Sequence, residues 1–383
     1  MEKTENVPIV VVAYNRASSL DRLLNSLSRA HYPDKDIKLI ISIDHSADNQ
    51  DVLEIANNFQ WEHGSKEIDY QKENLGLRRH IIKCGLISEK YGNVIVLEDD
   101  LYVAKHFYFF ATEALKFVSQ TGRIAGVSLY NHQMNQHNFS YFSTLEDGYD
   151  NWYFQYGASW GQAWSEAQFK GFHEWYLKNE KLSPLPEIPL SVRSWSDKSW
   201  LKFFIAYMIE NDKYFLYPKT SFTTNFGDSG THSKGNSMYQ VPLSYANNST
   251  YNFSSIAESS NVYDAFFENQ NLHKHLKIDS KDLTIDLYGI KSDFGKRRFV
   301  LTSKLLDYKI IQSFGRSLKP HEANILDGVS GQDFFLYDTQ FEHKNVSKKD
   351  TLSELLYTFK GINYQRALYI FIKLLKQRIK MIF

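Results

Sequence analysis

Short runs of apolar residues alternate along this chain with stretches whose apolar residues recur every three or four positions. Pro8-Ile9-Val10-Val11-Val12-Ala13 reads as a buried strand with Tyr14-Asn15-Arg16 as its exit loop. Ser18 or Ser19 is placed to cap a helix whose Leu20, Leu23, Leu24 and Leu27 fall on one face. Ile37 to Ile43 predicts a second strand ending at Asp44, then a helix from Asp51 to Phe59 and a short strand at Ile68 to Tyr70. Asn74-Leu75-Gly76 turns into a helix running to Lys90. The strand Val94-Ile95-Val96-Leu97 follows, then a helix from Ala104 to Ser119 and a strand from Ile124 to Ser128. Strands without polar alternation, separated by helices, predict a mostly parallel α/β sheet flanked by helices.

From Tyr141 the chain turns rich in Trp, Tyr and Gly. Helical stretches are expected over Gly161–Asn179 and Asp197–Asn211, separated by the loop Pro184 to Pro189, with a strand at Tyr214 to Pro218. The pattern divides the chain into a large α/β domain over residues 1–260, an accessory α+β region over 261–350 and a basic amphipathic helix over 351–383. On a helical wheel Arg366, Lys373, Lys376 and Lys380 share one arc, with apolar residues over the rest. Such a helix suits an anionic membrane surface, and equally its own domain or a partner subunit.

In parallel sheets ligands collect at the carboxyl ends of the strands. Asn15, Arg16, Asp44 and Glu98-Asp99-Asp100 all fall at such ends. Three adjacent carboxylates repel and are costly to desolvate unless a positive charge sits among them. A divalent cation carrying a phosphate would satisfy them, because hard cations take oxygen ligands. A strand followed by an acidic helix start, with Asp99 or Asp100 as N-cap, is the competing reading.

Composition narrows the picture. Lys plus Arg and Asp plus Glu both number 44, so no global field favours nucleic acid. Cys84 is the single cysteine, which excludes an intrachain disulfide and a cysteine-built metal site. Met1 to Asn6 is polar and no apolar run spans a bilayer, so the expectation is a cytoplasmic chain, with the basic helix able to hold it at the inner face of the plasma membrane. Aromatic residues make up 15% of the chain; most are expected in the core, and aromatic faces also suit stacking against sugar rings or bases.

Val11-Val12-Ala13-Tyr14-Asn15-Arg16, Ser42-Ile43-Asp44, Asn74-Leu75-Gly76 and Val94 to Leu101 occur in the order and spacing of GT-A glycosyltransferases. The chain resembles the N-acetylglucosaminyltransferase I type, with Glu-Asp-Asp in place of Asp-X-Asp, and the bacterial family 2-like transferases, over roughly residues 7 to 235. The resemblance implies a Rossmann-like GT-A sheet and a UDP-sugar site including Ala13, Tyr14, Arg16 and Asp44. It also implies Mn²⁺ (or Mg²⁺) on Asp100, with Asp99 toward ribose or bound water and Glu98 holding the sugar. Asp44 would accept from uracil or ribose, or else serve only as a turn former. Arg16 is equally a surface arginine near a helix start.

Arg78 and Arg79 open a helix where cations oppose the dipole, which suggests a nearby anion such as diphosphate. Arg79 sits closest to the family's donor-contacting residue, and His80 is equally a core histidine. Trp195-Ser196-Asp197-Lys198-Ser199-Trp200 resembles the segment carrying the catalytic base. Asp197 is the candidate, its flanking tryptophans able to raise its pKa, and it could also cap the next helix; Glu166 and Asp150 stand in reserve. Gly230-Thr231-His232 lies where the family has a loop that orders over the donor.

The family's eukaryotic members are membrane-anchored and disulfide-bonded. Neither feature is visible here, so their mannose-type acceptor is not carried over. The expected reaction is inverting transfer of a hexose or N-acetylhexosamine to a glycan or lipid-linked glycan in surface polysaccharide synthesis. A sugar nucleotidyltransferase would need a glycine- and basic-rich loop where Ala13-Tyr14-Asn15-Arg16 stands. A non-catalytic carbohydrate-binding scaffold would lack an acid of the trio or the base.

Overall fold

The computed structural model describes residues 6–33, 36–119, 121–179, 181–182, 186–230, 233–234, 237–346, 357 and 363–380. The chain forms two compact units, one of residues 1–133, 143–271 and 290–293, the other of 134–142, 272–289 and 294–383.

The first unit runs β1 (Ile9–Ala13), α1 (Ala17–Ser28), β2 (Leu39–Ile43), α2 (Gln50–Asn58), β3 (Lys66–Tyr70), α3 (Gly76–Gly85), α4 (Ser88–Tyr91), β4 (Asn93–Glu98), β5 (Leu101–Val103), α5 (Phe107–Val118) and β6 (Ile124–Ser128). It continues through β7 (Asn151–Phe154), β8 (Gln162–Ser165), α6 (Glu166–Tyr176), α7 (Leu190–Arg193), α8 (Trp200–Glu210), β9 (Tyr214–Pro218), β10 (Thr223–Asn225), β11 (Ser229–Gly230), β12 (Ser233–Lys234) and β13 (Val262–Tyr263). Nine strands join in one sheet, ordered β13-β7-β9-β6-β8-β4-β1-β2-β3. β3, β2, β1 and β4 are mutually parallel, and β8 pairs antiparallel to both β4 and β6. The α/β class expected from the sequence is the class observed.

Burial explains the order. All five residues of β1 and of β2 are buried, so both must lie inside the sheet. β3 carries Lys66, Glu67 and Asp69 and takes the edge, where charged side chains discourage further pairing. Leu20, Leu23, Leu24 and Leu27 of α1 are fully buried against the sheet. Trp164 of β8 packs on Phe169, Trp200 and Phe204 of α6 and α8.

Several expectations change. The stretch from Gly161 begins as β8, and only Glu166 onward is helical. The helix expected to reach Lys90 breaks after Gly85 into α3 and α4. α1 has no side-chain cap; Ser19 instead donates to Asp228. Asp99 and Asp100 form a turn into β5 rather than a helix start, which removes the N-cap reading of the acids. Asp197 caps nothing, since Ser199 is the N-cap of α8.

The second unit holds α9 (Leu272–Leu276), β14 (Leu283–Asp286), β15 (Phe299–Thr302), β16 (Tyr308–Phe314), α10 (His321–Leu326), β17 (Phe334–Glu342) and α11 (Tyr364–Lys380). Its sheet is ordered β14-β15-β17-β16 over a core including Ile285, Leu301, Phe314 and Phe334.

α3 can pass close to α6 because Gly85 has no side chain. A Cβ there would stand 2.1 Å from the Phe169 ring. The clash outweighs the roughly 1 kcal/mol that alanine gains in a helix. Gly85→Ala is expected to lower stability by about 1–3 kcal/mol in urea unfolding.

Candidate active site

The chain steps outward from β1 to β2 and β3, then crosses back to place β4 on the other side of β1. The strand order therefore reverses between β1 and β4, and the crevice outside that point is where open α/β sheets bind ligands. Arg16 leaves β1 on one side of this crevice, and Asp99 and Asp100 leave β4 on the other. Backbone bonds fix both exits: Asp44 N–H donates to Ala13 O at 2.9 Å and Asp99 N–H to Val12 O at 3.0 Å.

Arg16 spans the crevice. Its guanidinium donates to Asp99 Oδ1 and, at 3.0 Å, to Asp100 Oδ2. Burial opposes the charge on Arg16, but the two aspartates outweigh it and raise the guanidinium above its usual value. Burial pushes Asp99 up to about 6 against the pull of Arg16. Glu98 is pushed well above the usual carboxylate range, first by burial and then by the charge on Asp100. One guanidinium faces three acids, so the trio divides: Asp99 and Asp100 pair with Arg16, and Glu98 does not.

Two buried carboxylate oxygens, Asp100 Oδ1 and Glu98 Oε1, have no hydrogen-bond partner. Orphaned hard oxygens in a pocket fit a divalent cation or a polyhydroxyl ligand. Among the described residues no group of three or more His, Cys, Asp or Glu side chains is arranged to hold a metal ion. The donor set is thus partial, suited to a cation that brings oxygens of its own ligand.

Asp44 is largely committed to the backbone. Its carboxylate accepts from the N–H groups of His45 (2.9 Å), Leu75 (2.8 Å) and Gly76 (2.9 Å). The anion sought at the start of α3 is therefore Asp44 itself, which ties that helix to the end of β2. Gly76, at φ 70°, allows the tight entry. Asp44 still lines the cavity, and a carboxylate has about four acceptor positions.

Arg78 donates to the Asp197 carbonyl at 2.7 Å and lies over the Phe203 ring. Arg79 is mostly exposed, 3.8 Å from Glu73. His80 is a core residue, buried with its Nε2 2.8 Å from Ser42 Oγ.

Asp197 departs from its expected surroundings. Its side chain is 81% exposed and pairs with Lys202 at 2.8 Å. That hydrogen bond and charge hold its carboxyl below the usual range, so the flanking tryptophans do not raise it. Trp200 is buried and packs on Trp164 and Phe204 instead. Glu166 opens α6 and Asp150 accepts from Asn252 N–H at 2.7 Å; neither lines the cavity. Gly230 ends β11, and Thr231 and His232 lie outside the described residues.

A cavity of about 670 Å³ gathers Ala13, Tyr14, Arg16, Asp44, Arg79, Glu98, Asp99 and Asp100, within the usual 300–1,000 Å³ of small-molecule sites. It also takes Trp160, Lys198, Asn225, Asp228 and Tyr239, which sequence reasoning missed. Asp228 accepts from Ser19 at 2.7 Å and pairs with Arg22, whose guanidinium lies 4.0 Å over Phe226. This cluster pins the 226–228 loop to α1. Trp160 and Tyr239 present paired rings at 4.7 Å.

No protein-family model matches the chain, and no curated protein matches it in sequence. Among solved structures it is similar to S. aureus TarS (13% identity, TM-score 0.34, covering 57% of this chain and 36% of that one). It is also similar to S. aureus TarS 1-349 (13%, 0.34, covering 57% and 59%). A third is the mannosyltransferase PcManGT from Pyrobaculum calidifontis in complex with GDP-Man and Mn²⁺ (14%, 0.32, covering 44% and 46%). The chain spans less than two thirds of each of these structures. Likenesses of this extent leave the site's own residues as the basis for a functional reading.

Burial pushes the His80 imidazole down to about 4 from 6.5. Between these values the unfolded chain binds the extra proton, so the contribution is present above pH 6.5 and is lost as pH falls toward 4. At 1.36 kcal/mol per unit the loss is about 3 kcal/mol. Urea unfolding at pH 7 and pH 4.5 should show this decline in the native chain and a shallower one in His80→Gln.

Proposed function

We propose that this chain is a metal-dependent, inverting glycosyltransferase of the GT-A type. It would move a hexose or N-acetylhexosamine from a UDP-sugar to a glycan or lipid-linked glycan in bacterial surface polysaccharide synthesis. One observation carries the reading: an acidic trio with an orphaned Asp100 oxygen faces Arg16 across the crevice where the strand order reverses. A nucleotide diphosphate on a cation suits that combination of partial oxygen donors and a cationic edge.

A divalent cation on Asp100, when bound, would neutralise the diphosphate leaving group. Tyr14, Arg16 and Asp44 would line the nucleoside side. Glu98, whose Oε1 has no partner in the chain, is placed to hold a sugar hydroxyl. Trp160 and Tyr239 offer ring faces to a sugar.

Inversion requires a carboxylate to take the acceptor proton while the acceptor oxygen forms its bond to C1 and the C1–diphosphate bond breaks on the opposite face. We assign this to Asp197, next to the cavity-lining Lys198. Pairing with Lys202 holds its carboxyl below the usual range, which reduces its basicity.

The test is transfer and hydrolysis of a panel of UDP- and GDP-sugars with and without Mn²⁺. Asp100→Asn should lose Mn²⁺-dependent turnover. Asp197→Asn should keep calorimetric UDP affinity and lose about 100-fold or more in turnover. Normal turnover in Asp197→Asn would remove the base assignment, and metal-independent turnover would remove the role of Asp100.

A further inference from the structure

Among the described residues, α11 is an amphipathic element that the proposed function leaves unused. Its 17 residues include Arg366, Lys373, Lys376, Arg378 and Lys380 and no acidic residue. At 3.6 residues per turn Leu368, Phe371, Ile372 and Leu375 fall on one face, with Arg366 and Lys373 on the opposite side and Lys376 at the flank. Every side chain described in α11 is exposed, Leu368 at 58% and Phe371 at 62%. Its apolar face is therefore not spent on the core of its own unit. A contiguous exposed apolar face is informative where single exposed residues are not.

Charge selects the occupant. A helix with only basic charge is complementary to an anionic surface. The pairing of that charge with an apolar face carrying Tyr364 and Phe371 matches helices that lie in the lipid interface. Spanning is excluded for the described residues, because no helix is long and apolar enough to cross a membrane. We infer that α11 is an interfacial anchor lying in the plane of an anionic bilayer. Leu368, Phe371, Ile372 and Leu375 enter the acyl boundary while Arg366, Lys373 and Lys376 meet the headgroup phosphates. Two weak signals, buried apolar area and charge, combine into stable but salt-sensitive attachment.

The experiment is co-sedimentation of the full chain with phosphatidylcholine vesicles and with vesicles containing phosphatidylglycerol, at low and high salt. It reads binding without reference to turnover, so its failure would leave the proposed function untouched. The chain should pellet with the anionic vesicles and be released by salt. Each basic residue near such a surface contributes about a fivefold factor, so Lys373→Glu with Lys376→Glu should weaken partitioning by roughly 25-fold or more. Leu368→Glu with Phe371→Glu should also abolish pelleting. All four side chains are exposed, so both variants should retain the native far-ultraviolet circular dichroism. Equal pelleting with neutral and anionic vesicles, or none with either, would overturn the inference. So would unchanged binding in the charge-reversed variant, or a dimer in light scattering that Leu368→Glu with Phe371→Glu dissolves, which would show a second copy on this face.

Discussion

Arg16 is the charge that lets Asp99 and Asp100 leave a buried strand side by side. β1 and β4 are adjacent and parallel, so their exit loops must share one crevice, and the guanidinium bridges it. Removing one partner of a buried pair costs about 3–5 kcal/mol, less where water still reaches the pair, as at Arg16. The compensation is incomplete. One oxygen of Glu98 and one of Asp100 are left without a donor. The site is thus closed enough to fold and open enough to take a ligand.

The rest of the pocket serves this arrangement. Asp44 fastens the start of α3 to the end of β2, so the helix cannot drift from the crevice. β5 turns back from the acids and pairs with β10, which brings Asn225 and Asp228 to the same edge. Asp228 with Ser19 and Arg22 then holds that loop to α1. Polar side chains that would repel or wander in isolation are each tied by a backbone group or an opposite charge.

Local patterns in the chain were enough to reveal the parallel half of the sheet, because Ile9–Ala13, Leu39–Ile43 and Val94–Leu97 are unbroken apolar runs. The trio and Arg16 were legible for the same reason: they follow those runs directly. β8 was not, since Gln162-Ala163-Trp164-Ser165 lacks β-branched residues and runs into a helix with a capping box. Asp228 was invisible too, because its partners Ser19 and Arg22 stand 209 and 206 positions away. Asp197 illustrates a different limit. Two neighbouring tryptophans suggested enclosure, but Trp200 turns inward and Lys202, in the first turn of α8, takes the carboxylate.

The central claim is that Asp100 supplies an incomplete oxygen set which a nucleotide diphosphate completes around a cation. Equilibrium dialysis of Mn²⁺ tests it directly, by the excess metal retained on the protein side with and without UDP. The account predicts an excess only when UDP is present, and none in Asp100→Asn. Retention that is equal with and without UDP, or absent in both, would contradict it.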